Sequence, residues 1–248
     1  SRAGRVLADT HPAEARVAVQ VPGSQYEVRI GPGLLHQAGA WLADLGLTGQ
    51  AAIVTQPALA LLYSRSLQAS LAAAGIRSAV IPMPDGEAAK NLATVSMLYD
   101  EFFRLGLERS STVVALGGGV VGDVAGFAAG TYLRGLPVVQ VPTTLLAMVD
   151  SSTGGKTGVD LPGGKNLVGV FHQPRGVLCD PAVLATLPEV ELRCGLAEVV
   201  KSAIIADGDL FALLEDAVRQ AAPWPLAEIV RRSVAIKAAV VAADPTEQ

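Results

Sequence analysis

Cysteine is nearly absent: Cys179 and Cys194 stand alone, with no C-x-x-C spacing. That excludes a disulfide framework and a zinc knuckle, and it fits a reducing, cytoplasmic setting. No apolar run reaches the roughly 18 residues of a membrane span, so no membrane partner is expected. The opening "SRAGRVLADTHPAEAR" carries Asp9 and Glu14 and has no apolar h-region, which excludes a secretory signal. Residues 1–15 read as a disordered arm. Basic residues are not in excess, with 19 Lys and Arg against 23 Asp and Glu, so no face for nucleic acid is expected. The histidines, His11, His36 and His172, are scattered without an H-x-x-x-H pair. Internal repeats and low-complexity tracts are also missing.

What is present is apolar residues, half of the 248, enough for one large or two smaller domains. Two alternating runs around Pro22-Gly23-Ser24 predict an antiparallel hairpin. Beyond Gly33 the texture alternates. "AAIVT", "RSAVIPM", "STVVALGGG" and "LPVVQVP" read as strands, and "LLHQAGAWLADLG", "PALALLYSRSLQASLAAAG", "NLATVSMLYDEFFRLGL" and "VVGDVAGFAAGTYL" as helices. Strands alternating with helices predict a parallel, Rossmann-like α/β sheet covered on both faces. From about Pro181 only helical patterns follow. The expected division is therefore an α/β domain over 16–180 and an all-α region over 181–248. The chain stops at "DPTEQ" without a polar tail, so the helical domain is expected to be incomplete.

Glycine concentrates where chemistry would sit. "GGKT" at 154–157 ends like a P-loop, yet the first glycine of G-x-x-x-x-G-K-[ST] would fall on Asp150. A carboxylate there repels phosphate, so the P-loop is set aside. A literal G-x-G-x-x-G occupies Gly117, Gly119 and Gly122, after a strand and before a helix. It ends the fourth strand rather than the first, and "VPTT" stands where an acidic residue would close the next strand. Tight helix–strand packing accounts for the motif nearly as well. Asp123 beside it suits a ribose or nicotinamide contact, or a helix N-terminal charge. "PMPDGEAAKN" reads as a turn and helix cap with solvated charges; a ligand role for Glu87 and Lys90 is the alternative. Residues 150–166 read as a glycine-rich loop without a core, bringing Asp150, Lys156, Lys165 and Asn166, joined by Arg134, onto one small anion. Glu198 and Lys201 lie three apart on one helix face. They read as an intrahelical ion pair or, with apolar neighbours all round, as a buried site where a carboxylate can ligate a metal.

Taken together, "PDGEAAKN", "LGGGVVGDVAGFAAGTYLRG", "VPTTLLAMVDSSTGGKTGVDLPGGKNLVGVFHQP" and "GLAEVVK" closely resemble the 3-dehydroquinate synthase family, from about Val17 to the last residue. The resemblance implies a shikimate-pathway enzyme with bound NAD and a divalent metal, zinc or cobalt. It would turn 3-deoxy-arabino-heptulosonate 7-phosphate into 3-dehydroquinate and phosphate, through transient oxidation, phosphate elimination, reduction and aldol closure. It implies cofactor contacts at Asp85, Gly86, Glu87 and Lys90; at Gly118, Gly119, Val120, Val121, Gly122 and Asp123; at Thr143 and Thr144; at Lys156 and Lys165; and at Val183, Leu184, Ala185 and Thr186. Arg134, Asp150, Lys156, Asn166, Lys201 and Lys237 would be the catalytic and substrate-binding set, and Glu198 one of three metal ligands. The other two ligands are expected beyond Gln248. A homodimer is implied as well. The rivals are a valiolone- or inosose-type cyclase, a metal-dependent polyol dehydrogenase, and an inactive cofactor-binding fragment.

Overall fold

The computed structural model describes residues 14–244. The expected arm falls mostly outside that range. Its last two residues are ordered: Glu14 receives Arg29 Nε at 2.6 Å, and Ala15 opens the first strand.

Strands β1 (Ala15–Val21) and β2 (Ser24–Ile30) form the expected hairpin, turning on Pro22 and Gly23. Four apolar segments then form the parallel centre of the sheet: β3 (Ala51–Thr55), β4 (Ser78–Pro82), β5 (Thr112–Gly117) and β6 (Val138–Pro142). A short strand β9 (Val177–Cys179), which no sequence pattern announced, joins β6 to β2. The full order is β1-β2-β9-β6-β5-β3-β4.

Side-chain alternation explains why these runs are apolar throughout. Ala51 and Ile53 of β3, with Val114 and Leu116 of β5, enter one core. Ala52 and Val54, with Val113 and Ala115, enter the core on the other face. The first face is covered by α1 (Ala38–Asp44) and by a continuous helix running from α2 (Pro57–Leu59) through a wide turn into α3 (Arg65–Ala73). The second face is covered by α4 (Leu92–Arg104) and α5 (Gly119–Thr131). Asn91 caps α4, its side-chain oxygen accepting from Thr94 N at 2.9 Å.

The glycine-rich stretch is not a loop. Lys156–Leu161 (β7) and Gly164–Phe171 (β8) pair antiparallel around Pro162-Gly163. Thr157, Gly158 and Val159 are buried, because the hairpin lies across α5. A row of small residues on α5 permits this: a Cβ on Gly126 would meet Thr157 Cγ2 at 2.5 Å, and one on Gly130 would meet Val170 Cγ1 at 2.9 Å. After β9, only helices follow among the described residues, as expected: α6 (Glu189–Ala206), α7 (Gly208–Arg219) and α8 (Leu226–Ala243). Among the described residues no helix is long and apolar enough to cross a membrane.

Candidate functional site

Parallel strands place their carboxyl ends together, and ligands of open α/β sheets bind there. Four of the segments singled out in the sequence follow such ends: 85–90 after β4, 118–123 after β5, 143–144 after β6 and 183–186 after β9. Gly118 caps α5, whose first N–H groups carry the positive end of the helix dipole. A Cβ on Gly118 would stand 3.0 Å from Thr144 Cγ2, and one on Gly119 3.2 Å from Ser151 Oγ. Bare backbone at these two positions lets Thr144 and Ser151 approach closely. Thr143 Oγ1 lies buried without a hydrogen-bond partner. Gly117 and Gly122 have a packing reason instead: a Cβ on them would strike Val121 and Gln140. The 181–186 turn is held by Asp180, which accepts from Ala182 N, Gly33 N and Leu35 N, each at 3.0 Å. The Tyr63 hydroxyl bonds Val183 O at 2.9 Å and the Thr186 hydroxyl.

Lys90 is not a solvated charge. It is buried, and its ammonium donates to Asp123 Oδ2 and to Asn166 Oδ1, both at 2.6 Å. Burial pushes the Asp123 carboxyl above its ordinary range, while Lys90 pulls it back down. Asn166 adopts φ +56, and its N–H donates to Asp160 Oδ1 at 2.7 Å. An ammonium has only donors, so the atom facing Lys90 is the amide oxygen, and the Asn166 NH₂ group turns elsewhere.

A cavity of about 470 Å³ opens between α5, the β7–β8 hairpin, the wide helical turn Ala147–Ser151 and α8. Asp123, Asp150, Lys156, Asn166 and Lys237 line it, with Leu167, Val170 and Phe171 as an apolar wall. Lys237 reaches in from α8 and pairs with Asp150 at 2.6 Å. The P-loop is excluded by geometry too, since a strand, not a helix, follows Gly155.

The family model described as 3-dehydroquinate synthase N-terminal matches residues 80–194, and 3-dehydroquinate synthase C-terminal matches 195–248. A curated 3-dehydroquinate synthase from Nostoc punctiforme is 50% identical over 93% of this chain. The chain belongs to the 3-dehydroquinate synthase family. It spans about 65% of the length of the curated relatives it matches. A 2-epi-5-epi-valiolone synthase from Streptomyces hygroscopicus, solved with NAD+ and Zn2+ bound, superposes with TM-score 0.82 at 35% identity, covering 94% of this chain and 66% of that one. A 2-deoxy-scyllo-inosose synthase complexed with carbaglucose-6-phosphate, NAD+ and Co2+ gives TM-score 0.85 at 27% identity, covering 94% and 65%.

Not every residue expected from the 3-dehydroquinate synthase resemblance reaches the cavity. Arg134 does not. It is exposed, just past the C-terminal end of α5, and is not among the cavity's lining residues. Lys201 does not line the cavity either; it pairs with Glu198 one turn away on α6, and its side chain is 60% exposed. The apolar surroundings read from the sequence do not bury it. In this cavity the cation from the helical region is Lys237 of α8, the third helix, and not a residue of α6. Lys165 also points outward and pairs with Glu87 at 2.9 Å. Phe171 and Leu167 were missed, because their role depends on the unrecognised hairpin. Among the described residues no three of His, Cys, Asp and Glu assemble into a metal site. Glu198 supplies one carboxylate, fewer than the three protein ligands a zinc site needs.

Proposed function

We propose that the protein is a 3-dehydroquinate synthase, acting on 3-deoxy-arabino-heptulosonate 7-phosphate and releasing phosphate. The observation that carries this reading is the meeting of Lys156, Lys237, Asp150 and Asn166 in one cavity beside the glycine-lined end of β5 and α5. A dinucleotide fits that end. Its pyrophosphate would face the α5 N-terminus, and Thr143 Oγ1 and the Lys90–Asp123 pair stand ready for its polar groups. NAD bound there supplies a reversible hydride acceptor. Glu198 would be one ligand of a zinc or cobalt ion, with the remaining ligands outside the described residues.

The chain's own groups bind and orient the substrate. Two ammonium groups, on Lys156 and Lys237, match a substrate with two anionic ends, a phosphate and a carboxylate. Asp150 holds Lys237 before substrate arrives; a bound carboxylate takes over that ammonium and releases Asp150 toward a hydroxyl or water. Asn166, its oxygen committed to Lys90, presents an amide donor. Leu167 and Phe171 keep one wall dry, strengthening these charge contacts. Lys237 in the cavity favours a substrate bearing a carboxylate over the inosose and valiolone types. Cytoplasmic placement and a homodimer belong to the same reading.

The test is phosphate release from the heptulosonate phosphate by a full-length protein with zinc or cobalt. Release with no net NADH supports the reading. Steady NADH from a polyol supports a dehydrogenase and rejects it.

A further inference from the structure

The cavity's two central charges are joined by a short segment that neither helix nor ladder holds. Asp150 lies in the wide helical turn Ala147–Ser151, Lys156 opens β7, and Gly154 and Gly155 lie between. Both glycines are left-handed, φ +108 and φ +70. A Cβ on Gly154 would stand 3.2 Å from Val241 Cγ2 of α8, and one on Gly155 2.7 Å from Gln173 Cδ. The backbone here is shaped for close approach, and it is buried, so water does not satisfy its polar groups.

Two side chains do so. The Gly154 N–H donates to the Tyr26 hydroxyl at 3.0 Å, across 128 positions of sequence. The Gln173 amide donates to the Gly154 carbonyl at 2.9 Å. The Gly155 carbonyl accepts from His172 N at 2.7 Å. Tyr26 comes from β2 and is 4% exposed; burial pushes its phenol up to about 12, so it stays neutral. Neither Tyr26 nor Gln173 lines the cavity.

We propose that Tyr26 and Gln173 are positioning residues, which grip residue 154 by its N–H and its carbonyl and thereby set how Asp150 and Lys156 face each other across the cavity. This rests on the proposed function for its catalytic consequence, though not for the grip itself. A buried N–H without an acceptor shifts until it finds one. Movement of reacting groups by about 1 Å costs on the order of 100-fold in rate.

The experiment compares Tyr26→Phe, Gln173→Leu and the double variant in the full-length protein, measuring phosphate release per folded molecule well below the melting temperature. Each single change is expected to lower kcat roughly 10- to 100-fold. KM should move less than about threefold, since the flexible Lys156 still reaches an anion. Because both residues act on one glycine, the double variant should be no slower than the slower single. A purely structural role would lower the melting temperature and leave kcat per folded molecule intact, and that result overturns the proposal. A second readout needs no turnover: hydrogen exchange of the Gly154 amide should quicken at least tenfold in Tyr26→Phe, and unchanged exchange also overturns it. If the unaltered protein releases no phosphate, the functional reading fails, and the exchange measurement still decides whether Tyr26 and Gln173 grip the segment.

Discussion

Lys90 and Asp123 show how a single contact changes the meaning of two residues. In sequence Asp123 is conspicuous, a carboxylate next to a glycine motif that would attract phosphate. Its partner stands 33 positions away and reads as a solvated charge, so no local pattern joins them. Burial decides the energetics. Removing one member of a buried pair leaves the other uncompensated, at a cost of about 3–5 kcal/mol. Asp123 is one-fifth exposed, so the low end applies. Lys90→Met should therefore lower the melting temperature at pH 7 by roughly 6–12 °C. The sign with pH follows from Asp123. Its folded pKa is already above the ordinary 3.8, and losing Lys90 raises it further. A group with a raised folded pKa stabilises below its unfolded value and loses that contribution as pH rises through the folded one. Acidifying from pH 7 toward pH 5 should narrow the gap between variant and parent, and a gap that stays constant in thermal melts would contradict this account. Lys156 belongs at this scale too. Its ammonium lines the cavity, and a charge-assisted contact is worth about 1.5–3 kcal/mol, so Lys156→Ala should cut kcat/KM roughly 10- to 150-fold. Full turnover in that variant would remove Lys156 from the site.

Strands and helices were legible wherever one period dominated. "AAIVT" became β3 without adjustment, and the parallel centre followed from uniform apolar runs between amphipathic helices. The β7–β8 hairpin was not legible, for a physical reason. Its glycines at 158 and 169 let backbones pass closely: a Cβ on Gly158 would stand 2.6 Å from Val168 O, and one on Gly169 2.2 Å from Thr157 O. Glycine used for contact looks the same in sequence as glycine used for freedom. The same ambiguity surrounds α5, where Gly126 carries the hairpin. Gly126→Ala tests that role. Alanine favours helix by about 0.8–1.0 kcal/mol, which alone predicts stabilisation. The new methyl, however, would meet Thr157 Cγ2 at 2.5 Å, and Thr157 cannot turn away, because its hydroxyl donates to Val170 O at 2.7 Å. Overpacking costs about 1–3 kcal/mol, so net destabilisation is expected, with slower turnover as Lys156 and Asn166 shift together. Denaturant titration showing a stabilised variant would mean the hairpin yields freely.

At the scale of the whole molecule, the helical region is not an appendage. One apolar cluster contains Val19, Tyr26 and Val28 from the first hairpin, Val177 and Leu178 from β9, Val199 from α6, Leu210 and Leu214 from α7, and Val230, Val234 and Val241 from α8. It runs across the boundary near residue 181 that the change of texture drew, a boundary legible as a switch of element type but not as a gap in packing. Polar contacts reinforce the junction: Asp207 caps α7 through Leu210 N at 3.0 Å and takes Arg232 of α8 at 2.9 Å, while Lys237 ties α8 to Asp150. Shared burial favours cooperative unfolding, because the cluster on this face of the sheet loses members from both parts when either leaves. The two tryptophans report on each side, Trp41 buried in α1 and Trp224 ahead of α8. Single-tryptophan variants, Trp41→Phe and Trp224→Phe, should show the same urea midpoint by fluorescence, matching the loss of helix by circular dichroism. An earlier transition at Trp224, with Trp41 still native, would show that α8 leaves the sheet on its own. Lys237 would then leave the cavity with it, and the site would be assembled by docking rather than built into the fold.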